Sequence, residues 1–62
     1  MQVTINGKPE TIPGGTILEI LKAKDVSPQM VAVELNSKVL ERDELASTVV
    51  KDGDVIELLF YM

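Results

Sequence analysis

Only one stretch of this sequence repeats at helical spacing, Thr16 to Lys24, and it is too short to stand alone. Ile17, Ile20 and Leu21 fall at i, i+3 and i+4, with Leu18 widening the stripe, so one face is apolar. Thr16 stands three residues before Glu19, the spacing of a capping box in which each side chain satisfies the other residue's free backbone N–H. Lys22 and Lys24 lie toward the C-terminal end, where cations suit the helix dipole. Asp25-Val26-Ser27-Pro28 then stops the helix. A helix this brief is marginal in water, so its apolar stripe must be covered by something else. The remaining segments alternate, and what covers it is a sheet.

Val3 and Ile5 alternate with Gln2 and Thr4, the period of a half-buried strand. Asn6-Gly7 signals a tight hairpin, because both positions tolerate positive φ. Lys8 to Ile12 is the returning strand, and Pro9, lacking a backbone donor, puts it at a sheet edge. Pro13-Gly14-Gly15 leads into the helix. Met30 to Leu35 is a third strand, with Val31, Val33 and Leu35 on one face and Met30, Ala32 and Glu34 on the other. Asn36-Ser37 turns the chain into a brief strand at Lys38 to Leu40. Glu41 to Val50 reads as irregular or as a short helical turn anchored by Leu45, Ala46 and Val49. Lys51-Asp52-Gly53-Asp54 is a turn, and Val55 to Met62 is the last strand.

The order is β-β-α-β-β-β, with the first and last strands parallel and adjacent at the sheet centre. One helix covers one face of this mixed sheet and leaves the other uncovered. The expected class is α+β, in an arrangement that resembles the β-grasp of ubiquitin, formed by a single domain over residues 1–62.

Composition closes off most chemistry. The chain has no Cys and no His, which excludes a thiolate nucleophile, a Cys/His zinc site, a Ser-His-Asp triad and a disulfide scaffold. Its net charge of −4 argues against a nucleic-acid binder, which would gather Lys and Arg on one face. Apolar residues make up 45%, too many for a disordered tail, yet the apolar runs are far shorter than the roughly 20 residues of a membrane helix. Met1-Gln2-Val3-Thr4 lacks the regions of a signal peptide. The expectation is a cytoplasmic domain, monomeric when free, with no nucleic-acid or membrane partner. A chain of this size buries only about 60% of its unfolded surface, so it has little room for a deep substrate pocket.

The possible sites are few. Pro13-Gly14-Gly15-Thr16 lacks the Lys of a phosphate-binding loop and reads as a turn plus N-cap. Asp52, Asp54 and Glu57 have neither the number nor the loop spacing of cation ligands and read as a solvated turn. Glu41, Asp43 and Glu44 form a charged segment in which Arg42 pairs locally. Ser47-Thr48 has no His or Lys beside it to act as a base. No catalytic, cofactor-binding or metal-ligating residue is expected, and the chain reads as a non-enzyme.

The informative segment is the last. With Glu57 facing solvent, Ile56, Leu58 and Phe60 face the helix, while Val55, Leu59 and Tyr61 share the outer face with Glu57. Ala32 and Glu34 join them from a neighbouring strand, with Gln2 and Thr4 alongside. A contiguous apolar area beside carboxylates on an uncovered sheet suggests a docking surface. The expected partner-binding residues are Leu59, Tyr61, Phe60, Met62, Glu57, Ala32 and Glu34.

Asn6-Gly7, Ala32-Val33-Glu34-Leu35-Asn36, Val39 with Arg42 three positions on, and Gly53-Asp54-Val55-Ile56-Glu57 stand in an order and spacing that resemble the ThiS sulfur carriers of thiamine biosynthesis. The likeness covers essentially the whole chain. The related small subunit of molybdopterin synthase shares the fold and the chemistry but is usually longer. The resemblance implies a carrier with no active site and no cofactor of its own. In that family the chain ends in Gly-Gly, an E1-like enzyme adenylates the terminal carboxylate with ATP, and sulfur converts it to a thiocarboxylate that thiazole synthase consumes. The expected partners are therefore an E1-like adenylating enzyme and thiazole synthase. The present sequence reaches Met62 without that Gly-Gly, and Gly14-Gly15 is internal, so no residue here is assigned as the sulfur bearer. The rival expectation is a stand-alone β-grasp interaction module without transfer chemistry.

Overall fold

Asn6 and Gly7 both take positive φ, 51° and 82°, and the chain reverses there between β1 (Gln2–Ile5) and β2 (Lys8–Thr11). This is the geometry that matches the right-handed twist of paired strands. The computed structural model describes residues 1–61, so Met62, named above as a partner-binding residue, lies outside the described residues. After β2 come α1 (Ile17–Ala23), a 3-10 turn (Pro28–Met30), β3 (Val31–Leu35), β4 (Lys38–Leu40), a second 3-10 turn (Arg42–Glu44) and β5 (Val55–Phe60). The strands form one sheet in the order β2-β1-β5-β3-β4. β1 and β5 are parallel, and the other neighbours are antiparallel. This is the expected mixed sheet with a single helix packed on one face.

The helix start follows its local chemistry. The Glu19 N–H donates to Thr16 Oγ1 at 3.2 Å, and the Thr16 N–H donates to Glu19 Oε1 at 2.8 Å, closing the capping box. Ile17, Ile20 and Leu21 are buried against Val3, Ile5, Val31, Val33, Ile56 and Leu58 of the sheet. Leu45 and Val50 complete this core. Among the described residues no polar or charged side chain is buried.

Three boundaries move from the sequence reading. β2 stops at Thr11, although the Ile12 N–H still donates to the Met1 carbonyl at 2.9 Å. Met30 belongs to a 3-10 turn that Pro28 opens, so β3 begins one residue later. β5 ends at Phe60, and the Tyr61 N–H donates to the Met30 carbonyl at 3.0 Å.

Two core assignments are corrected. Val49 is 60% exposed and Ala46 is exposed, whereas Val50 is buried. The Val50 N–H donates to the Gly15 carbonyl, and Thr16 bridges Val49, so this segment is extended and successive side chains point opposite ways. Phe60 is 54% exposed although it shares the inward phase of Ile56 and Leu58. A seven-residue helix is only about 10 Å long, and the β1 ladder ends at the Ile5–Ile56 pair. Phe60 therefore projects beyond the elements that would cover it.

Candidate docking surface

β5 is the central strand of the sheet and also the one that leads to the C-terminal residues. Two asparagine turns hold it in place. Asn6 Oδ1 accepts from the Leu58 N–H at 2.7 Å, taking over where β1 stops pairing. Asn36 Oδ1 accepts from the Val55 N–H at 2.9 Å, and its Nδ2 donates to Asp54 Oδ1 at 3.0 Å. The turn that feeds the strand is fastened as well. Asp52 Oδ1 accepts from the Gln2 N–H at 2.6 Å, and Asp54 Oδ2 accepts from the Lys51 N–H at 2.7 Å. These carboxylates therefore act as turn acceptors. No group of three or more candidate metal ligands occurs among the described residues.

The register fixes what shares the uncovered face. Ala32 lies opposite Leu59, and Glu34 lies opposite both Glu57 and Val39. Val55 is opposite Thr4, which is opposite Pro9. The large apolar side chains here are open to solvent: Val39 is 61% exposed, Tyr61 57%, Leu59 55% and Val55 42%. Ala32, Glu34 and Glu57 are half-buried between them.

Six of the seven expected partner-binding residues are thus described, and five share this face: Leu59, Tyr61, Glu57, Ala32 and Glu34. Phe60 is also exposed but lies on the helix side, at a notch formed with Ile5, Val26 and Leu58. Val39 was missed. Its alternation with Lys38 and Leu40 was the available signal, but the strand is three residues long and only pairing with Glu34 reveals its face. Arg42 forms no ion pair among the described residues, so the local pairing expected of it is not made there. Among the described residues the ion pair is Lys24–Glu10 at 2.7 Å, on the helix side of the molecule.

This is a β-grasp domain in which one sheet face is bare and carries the exposed Val39, Val55 and Leu59. The model of the ThiS family matches residues 3–61, and the chain belongs to that family. It is 35% identical over 60 residues to the sulfur carrier protein ThiS of Thermus thermophilus, covering 97% of this chain and 94% of that one. It is also 33% identical over 63 residues to a thiazole synthase of Magnetococcus marinus, of which it spans only 19%. The crystal structure of the thiamine biosynthesis protein ThiS from Geobacter metallireducens superposes with a TM-score of 0.89 at 44% identity, covering 100% of this chain and 96% of that one. The solution structure of a thiamine biosynthesis protein from the same organism gives a TM-score of 0.85. Within this family the chain is a ThiS-like sulfur carrier rather than an enzyme.

Proposed function

We propose that this chain delivers sulfur as a C-terminal thiocarboxylate for thiazole formation in thiamine biosynthesis. The observation that carries this reading is the family match over residues 3–61 together with the central position of β5. That strand lies between β1 and β3 and carries the exposed Leu59, with the exposed Tyr61 just after it. A partner seated on the outer face would then hold the C-terminal tail in reach of its own active site.

The chemistry belongs to the partners. An E1-like enzyme joins the terminal carboxylate to the AMP part of ATP and releases pyrophosphate. A cysteine-derived persulfide then displaces AMP to give an acyl disulfide. A thiol reductant supplies the two electrons that cleave its S–S bond to the thiocarboxylate. Thiazole synthase takes the sulfur and leaves the carboxylate. The matching stretch within a protein named thiazole synthase supports that enzyme as the second partner. The use of ATP is consistent with a cytoplasmic setting. Two terminal glycines would serve as the reactive end, since a tail without side chains can thread a narrow channel.

Mass spectrometry tests the reading. The 62-residue chain and a version extended by Gly-Gly are each incubated with the cognate activating enzyme, ATP, a sulfur donor and a thiol reductant. The extended chain should gain the mass difference between sulfur and oxygen, and the chain ending at Met62 should gain nothing. An extended chain that stays unmodified while it binds the enzyme overturns the proposal.

A further inference from the structure

The outer face carries a charge arrangement that its apolar character does not explain. Glu34 on β3 and Glu57 on β5 lie directly opposite each other in the antiparallel ladder. Residues so placed have Cβ atoms only about 4.5–5.5 Å apart, and like charges there are unfavourable. No lysine or arginine among the described residues forms an ion pair with either carboxylate. The two glutamates sit among apolar neighbours: Val39 is opposite Glu34, and Leu59 is opposite Ala32 one step along the same face.

In the free protein water solvates both carboxylates and keeps the repulsion small. Covering the face removes that water. Two adjacent carboxylates shut under an apolar surface without a countercharge would be heavily penalised. A neutral hydrophobic partner therefore cannot cover Leu59 and Val39 without also burying unpaired negative charge. We propose that the E1-like enzyme seated on this face presents an arginine between Glu34 and Glu57, framed by apolar side chains that meet Val39 and Leu59. Arginine fits better than lysine because its planar fork can donate to two carboxylates at once. The proposal rests on the outer face being the docking face.

Titration of the chain against its cognate E1-like enzyme at low and high salt tests it, using Glu34→Gln, Glu57→Gln and Leu59→Asp. Each Gln variant should melt no lower than the parent, because the cross-strand repulsion is gone. Each should nevertheless bind at least about tenfold more weakly, with a shallower salt dependence, because the partner's cation is left unpaired. Gln variants that bind like the parent with an unchanged salt slope, while Leu59→Asp abolishes binding, overturn the arginine and leave the docking face standing. If Leu59→Asp also binds normally while folded, the docking face is wrong and the arginine falls with it.

Discussion

Gly15 sits at φ +110°, and a Cβ built on it would lie 2.6 Å from Glu19 Oε1, the carboxylate oxygen that accepts from Thr16. Gly15→Ala should therefore strain the backbone and dislodge the capping box together. The expected loss is about 2 kcal/mol in urea denaturation, combining left-handed strain with a damaged cap. Ser37 offers the converse case. It holds φ 72° after Asn36 at 51°, in the position that Gly7 occupies in the first hairpin. Ser37→Gly should relieve the left-handed strain and, after the entropy cost of glycine, raise stability by about 0.5 kcal/mol. The same melts compare the two variants. At this scale the sequence was readable wherever the interaction is local. Asn6-Gly7 and the Thr16–Glu19 spacing speak for themselves. The attachment of the Asn6 side chain to the Leu58 N–H joins residues 52 apart in sequence, and no local pattern carries that information.

Alternation along β5 separates its two faces, and the structure limits how far the pattern can be trusted. Ile56 and Leu58 are buried against the helix, so Ile56→Asp or Leu58→Asp places an unpaired charge in the core and should leave the chain unfolded at room temperature by circular dichroism. Leu59→Asp and Tyr61→Asp keep their charge in water and should shift stability by no more than about 0.5 kcal/mol. Phe60 shares the inward phase, so periodicity alone would assign it the roughly 3–5 kcal/mol cost of truncating a buried Phe. Because it is exposed past the end of α1, Phe60→Ala should cost less than about 1 kcal/mol in the same melts. Period-two patterning assigns a face but not the length of the element that covers it. The same limit misplaced Val49, where the bridge to Thr16 decided which of two neighbouring valines turned inward.

For the whole molecule, the element order was legible because each strand and the helix carries its own period, and a lone short helix leaves one side of a sheet bare. The outer face was legible as a patch for the same reason. What would cover it was not, because under the proposed function the recognising groups belong to another chain. The facing of Glu34 and Glu57 needed the register of two strands, β3 and β5, with β4 and the second 3-10 turn between them in the chain. A small domain with a shallow surface and no buried polar side chain among its described residues suits cargo that is attached, handed over and replaced. The most direct test is stoichiometry. The Gly-Gly-extended chain, charged as its thiocarboxylate and freed of the activating enzyme, is mixed with thiazole synthase and the synthase's remaining substrates, and thiazole is counted against charged chain. A carrier should yield at most one thiazole per chain as the chain loses its sulfur, and the uncharged chain should yield none. Thiazole formed in excess of the charged chain, or formed equally well with uncharged chain, would contradict the carrier role.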